Sequence, residues 1–176
     1  MEIRTVGDPV LRQKAAEITD VDERLVRLTE QMFVTMYEAP GIGLAAPQIG
    51  VQQRLFVYDL GDGDQRTLIN PEIVESEGEW VYEEGCLSIP GLSFELVRPK
   101  IVHLRGRDLD GNEVEVEADE LLARLFQHEL DHLNGVLMLD HLEDDDRKWA
   151  MKQLRERELQ RSVQRAAPST GGLQLP

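Results

Sequence analysis

The stretch ELLARLFQHELDHLNG, residues 120–135, decides how the rest of the chain is read. Setting Leu121 at 0° and turning about 100° per residue puts Leu125 near 40°, His132 near 20° and His128 near −20°. Glu129 falls near 80°, and Leu122, Leu133 and Phe126 complete an apolar stripe. Arg124, Gln127 and Asp131 fall on the far side and are expected to face away. One face of one helix therefore carries two imidazoles and a carboxylate among leucines. A buried carboxylate is costly unless something partners it. A buried structural helix would have to find partners for Glu129 and both histidines separately. A metal supplies them together: His at i and i+4 reach one ion, and Glu at i+1 reaches a water beside it. A shuffled chain of this composition would contain H-E-x-x-H only roughly once in a hundred, so the metal reading is preferred.

Two histidines leave such a site one ligand short, because catalytic sites generally use three protein ligands and one open position. The downstream candidates are His141 and the acidic run Glu143–Asp146; His103 lies upstream. Cys86, the chain's single cysteine, sits in GCLS ahead of an expected turn at Ile89-Pro90. A thiolate binds divalent ions more strongly than a carboxylate does. Softness favours Cys86 over His141 without excluding it.

The chain around this helix reads as one α+β domain over 1–165, with a disordered tail at 166–176. Residues 21–38 place Leu25, Val26, Leu28, Met32, Phe33 and Met36 at helical spacing, and APGIGLAAPQIG ends that helix. Short β-like runs follow: RLFVYDL, TLINPEIV, GEWVYEE, ELVRPKIVHLRGRDL and EVEVEA. Asp110-Gly111-Asn112 is a hairpin signal between the last two. A helix over roughly 119–134, with Asp119 as its N-cap, and another over 144–165 complete the pattern. The architecture expected is mostly antiparallel sheets around the H-E-x-x-H helix, with helices at the N- and C-terminal ends.

The formal charge of −15 argues against general binding to DNA. No segment is apolar and long enough to span a bilayer, and the first residues lack a signal-peptide core, so a cytoplasmic protein is expected. The charge is uneven: 147–165 holds seven basic and two acidic residues, +5, leaving −20 elsewhere. That segment reads either as a solvated charged helix or as a surface for ribosomal RNA.

Three motifs then converge on one family. GIGLAAPQ (41–48), EGCLS (84–88) and QHELDHLNG (127–135) resemble, in order and spacing, the G-x-G-x-A-A-x-Q, E-G-C-x-S and Q-H-E-x-D-H-L-x-G motifs of bacterial peptide deformylases. GDPVLRQKA near the start is similar too, and the resemblance covers about 1–145. It implies Cys86, His128 and His132 as ligands of one divalent metal, with Fe(II) as the physiological ion and Zn, Ni or Co acceptable in a purified sample. It implies hydrolysis of the N-formyl group of formyl-methionyl chains. A metal-bound water attacks, Glu129 acts as general base and then acid, and Leu87 N–H with the Gln48 amide stabilises the oxyanion. Backbone groups of Ile42, Gly43 and Gly85 would pair with an extended substrate. Tyr82, Leu121 and Leu125 would receive the methionine side chain, and Glu84 with Arg98 would form a structural ion pair behind the Cys loop. A monomer is expected. The competing readings are a small metallopeptidase using His141, and a binding module with a closed structural metal.

Overall fold

The computed structural model describes residues 1–166, so the expected tail lies beyond the described residues apart from its first. The chain divides into two compact units, Met1–His141 and Leu142 onward. The first contains α1 (Glu23–Glu38), β1 (Gly43–Ala45), β2 (Leu55–Tyr58), β3 (Arg66–Glu77), β4 (Trp80–Cys86), β5 (Ile89–Arg98), β6 (Ile101–Arg107), β7 (Glu113–Asp119) and α2 (Glu120–Leu133). The second contains α3, Asp144–Ala166. The α+β architecture with antiparallel sheets and three α-helices is the one expected. No helix among the described residues is long and apolar enough to cross a membrane.

α1 begins where the Asp22 carboxylate accepts the Leu25 N–H at 2.9 Å, which satisfies one of the orphan donors of a helix start. α2 begins less conventionally. Asp119 occupies the N-cap position expected for it, but its carboxylate makes no capping bond. Glu120 enters with a positive φ of 47°, strained for a residue with a side chain.

Five strands form one antiparallel sheet in the order β1-β2-β3-β6-β7. β2 explains the layering, because its successive side chains go to opposite faces. Phe56 joins the cluster containing Phe126, Leu125 and Leu133 of α2. Leu55 and Val57 join the cluster containing Met32, Phe33 and Met36 of α1. The sheet is thus sandwiched between α1 and α2, and a strand covered on both faces reads as a continuous apolar run rather than an alternation. Phe56 and Phe126 pack with ring centroids 5.9 Å apart, and Tyr58 meets Phe126 edge-on at 5.2 Å.

β4 and β5 form a separate two-stranded sheet. Two sequence expectations are corrected here. The reversal falls at Leu87-Ser88 rather than at Ile89-Pro90, because Cys86 pairs with Ile89 and Pro90 lies within β5. The long run ELVRPKIVHLRGRDL is two strands, broken at Pro99 and Lys100, where proline brings no N–H to a ladder. The β6–β7 hairpin closes as its Asp-Gly-Asn signal implies. Asp108 accepts the N–H groups of Asp110 and Asn112, and Gly111 takes φ 83°.

Candidate metal centre

α2 delivers His128 and His132 one turn apart, and the end of β4 delivers Cys86. Their ligand atoms lie within 4.8 Å of one another, and all three side chains are buried. Cys86 Sγ is 3.3 Å from His132 Nε2, which is 3.2 Å from His128 Nε2. One thiolate and two imidazoles converging on a common point are a donor set suited to a divalent transition metal. His141, the rival third ligand, lies elsewhere, with its Nε2 2.7 Å from Asp131 Oδ2.

The electrostatics favour an ionised sulfur. Burial alone would raise the Cys86 pKa, but the charges of His132 and His128 outweigh it and bring it down to about 5. Burial alone would lower that of His128, but the adjacent Cys86 sulfur and Glu84 hold it well above its ordinary value.

Behind the ligands lies a buried ionic network larger than the expected ion pair. Glu84 and Arg98 do pair, Nε and Nη2 each donating at 2.8 Å. Glu84 also accepts from Arg124 Nη1 at 2.9 Å, and its Oε1 is 2.6 Å from His128 Nδ1. The carboxylate thus fixes the ring of His128 with Nε2 toward the centre, the outer-shell arrangement that orients metal-binding histidines. Burial would raise its pKa, yet His128 and Arg98 hold it far below the usual carboxylate range.

Arg124 and Gln127 correct the helical-wheel expectation. Both are buried rather than turned to solvent. Arg124 donates to the Trp80 and Leu96 carbonyls, and Gln127 donates to the Pro99 carbonyl. The wheel identified the face toward the main sheet, but the β4–β5 hairpin covers the other side of α2.

Glu129 differs from every other acid in the unit. It is 4 % exposed, and its Oε2 has no hydrogen-bond partner among the described residues. Burial pushes its pKa up to about 7, with the His128 and His132 charges opposing. Gly43 makes room for it: a Cβ there would stand 2.4 Å from Glu129 Oε1. At Gly41 a Cβ would meet Leu87 Cδ1 at 2.8 Å. At these two glycines the constraint is close approach rather than backbone angle, and a Cβ would push the Leu87 or Glu129 side chain aside.

Gln48 is held at both ends of its amide. Its Oε1 accepts the Ala45 N–H at 2.8 Å, holding its own 3₁₀ turn, Ala46–Ile49. That fixes which end is the donor: Nε2 points to Ser88 Oγ at 3.2 Å and Cys86 Sγ at 3.8 Å. Ser88, Trp80 and Arg124 were not foreseen. Ser88 follows Cys86 by two positions and is fully buried; only its place in the EGCLS motif hinted at a role.

A cavity of about 420 Å³ opens over the centre. Ile42 and Gly43 line one side and Gly85, Cys86 and Leu87 the other. Gln48, His128 and Glu129 also line it, as do the larger side chains of Tyr82, Leu121 and Leu125. All of the anticipated site residues except His132, which is almost fully buried behind them, border this cavity. Their arrangement fits a divalent ion with a nearby proton acceptor and a slot for an extended chain.

Comparison with known proteins agrees. The model of the polypeptide deformylase family matches residues 1–148. A peptide deformylase of Clostridium botulinum is 53 % identical over 138 residues, 78 % of this chain and 93 % of that one. The crystal structure of a Legionella pneumophila peptide deformylase superposes with a TM-score of 0.88 at 41 % identity, covering 95 % of this chain and 98 % of the other. That of a Synechococcus elongatus peptide deformylase in complex with actinonin gives 0.83 at 41 % identity, covering 89 % and 87 %. With sequence, fold and motif order in agreement, the chain belongs to the polypeptide deformylase family, hydrolases that remove the N-formyl group from nascent peptides.

Proposed function

We propose that the cavity hydrolyses the formyl amide of formyl-methionyl peptides, with Cys86, His128 and His132 holding one divalent ion and Glu129 moving the proton. The observation that carries this reading is the pairing of three convergent ligand atoms with a buried, unpartnered carboxylate oxygen beside them. A divalent ion held there supplies Lewis acidity, lowering the pKa of nearby water and polarising a carbonyl. Fe(II) is the ion we assign, following the family's motifs; the thiolate–imidazole set also accommodates Zn, Ni and Co.

The remaining steps belong to the chain's own groups. Glu129, with a pKa near neutrality, takes a proton from the attacking water and returns it to the leaving amine. Gln48 Nε2, held as a donor by the Ala45 bond to its other end, and the Leu87 N–H stabilise the oxyanion. β1 is an edge strand, so the backbone of Ile42 and Gly43, with Gly85 across the cavity, receives an extended peptide by strand addition. The methionyl side chain enters between Tyr82, Leu121 and Leu125. We also read the protein as a monomer working in the cytoplasm.

The test compares a formyl-Met peptide with its unformylated twin on metal-loaded protein, reading formate release and peptide cleavage separately. Formate from the first and no cleavage of either is expected. Glu129→Ala should keep its metal and lose about 10²- to 10⁴-fold in turnover. Near-normal turnover in that variant would remove Glu129 from the mechanism. Cleavage of the unformylated peptide would favour the metallopeptidase instead.

A further inference from the structure

Asp131 stands beside ligand His132 in the sequence, but its carboxylate belongs to a different set of contacts. Oδ2 accepts from Arg98 Nη1 at 2.9 Å and lies 2.7 Å from His141 Nε2. Arg98 turns its other two nitrogens to Glu84, and Glu84 Oε1 reaches His128 Nδ1. From the metal side outward the order is therefore His128, Glu84, Arg98, Asp131, His141, with every link at 2.9 Å or less. From Glu84 outward side-chain exposure rises, from 5 % through 7 % at Arg98 and 22 % at Asp131 to 39 % at His141. Two carboxylates, Glu84 and Asp131, balance two guanidiniums, Arg98 and Arg124. A buried ionic set needs that balance, and removing one partner would strand the other charge.

The outer end is anchored too, though nearer the surface. His141 closes the 3₁₀ turn Met138–His141. The Asp140 carboxylate accepts the Leu137 N–H at 2.8 Å and pairs with Arg12 from the N-terminal segment. The His141 ring is thus delivered to Asp131 by an anchored turn.

We propose that His141 is a positioning residue for ligand His128, acting through Asp131, Arg98 and Glu84. The Arg98 guanidinium is planar, with a rigid fork of donors. Its plane is held at one end by Glu84 and at the other by Asp131, so the Asp131 carboxylate sets how squarely Arg98 meets Glu84. The N–H of His141 holds that carboxylate against the pull of solvent. Loss of the donor lets Asp131 turn outward, loosens Arg98, and relaxes the Glu84 contact that aims His128 Nε2.

This inference rests on the reading of Cys86, His128 and His132 as metal ligands. The test loads wild type, His141→Leu, His141→Gln and Asp131→Asn with Zn and follows its release to a chelator. Thermal stability of each metal-free protein is measured in parallel. His141→Leu should release Zn about threefold to tenfold faster, less than the tenfold or more seen for direct outer-shell partners. His141→Gln, which keeps a donor at the same reach, should restore most of the wild-type rate. In the Asp131→Asn background, His141→Leu should add nothing. Release at the wild-type rate from His141→Leu, whatever its thermal stability, overturns the proposal. So does an undiminished effect in the Asp131→Asn background. A wild-type protein with no chelatable Zn would overturn the ligand assignment, and this inference with it.

Discussion

Glu129 is a single side chain at odds with its surroundings, a buried carboxyl with an unpartnered oxygen. Its carboxyl titrates near 7 when folded and near 4.5 when unfolded, so the folded state binds the proton more tightly. Stability contributed by that proton is full below about pH 4.5, declines as pH rises through the interval to about 7, and is absent above it. Glu129→Gln removes the conflict while keeping the shape. In metal-stripped protein at pH 8 it should be more stable than wild type by about 1–3 kcal/mol, shrinking toward zero near pH 4.5. Thermal denaturation at both pH values checks this; an equal difference at each would mean that Glu129 is not the titrating group. On the proposed mechanism turnover should fall as acid protonates Glu129, which a pH–rate profile checks. That Glu129 shares a face with two histidines was legible in sequence, because a helical repeat is rigid and angles follow from spacing alone. The contacts of its neighbours were not, since Arg124 finds the Leu96 carbonyl of β5, 28 residues away, and Ser88 accepts from Gln48, 40 residues away in a 3₁₀ turn.

At the scale of elements, the site is a clamp of three pieces: β1, the tip of the β4–β5 hairpin, and α2. Their closeness is measured by Gly43, where any Cβ would intrude on Glu129. Gly43→Ala should leave the fold and metal content intact and lower kcat by about tenfold or more, as the displaced carboxylate loses its line to the reacting centre. Circular dichroism, metal analysis and steady-state kinetics on one preparation decide it; unchanged kcat would show that Glu129 has room to move. The elements themselves were largely readable. α1 and α2 carry strong periodicity, and Asp-Gly-Asn marks its own hairpin. The failures were of position: Pro90 reads as a turn yet lies in β5, because a two-stranded ribbon tolerates proline where no neighbour needs its N–H. Arg124 reads as solvent-facing because an angular plot cannot tell how many layers will cover a helix.

At the scale of the molecule, charge is the organising feature. The net −15 is the sum of +5 in 147–165 and −20 elsewhere, and α3 carries all of that positive stretch as one continuous helix, behind the acidic Asp144, Asp145 and Asp146 of its first turn. An enzyme acting on nascent chains gains from residence near ribosomes, and a basic helix on an acidic protein can supply it through phosphate contacts. Co-sedimentation with ribosomes should fall steeply with added salt and be lost on truncation at residue 146. Equal pelleting of the truncated protein would reduce α3 to a solvated charged helix.

The ligands arrive from two elements, and Cys86 and His132 are 46 residues apart in the chain. Translation runs at about 5–20 residues per second. Some 2–9 s therefore separate synthesis of the thiol from synthesis of its second imidazole. During that interval Cys86 is an ordinary sulfhydryl on a growing chain, neither buried nor ionised by its later neighbours. The centre thus has a birth order, sulfur first and nitrogens last, and on the proposed ligand set no ion can be held by all three side chains before residue 132 has been made.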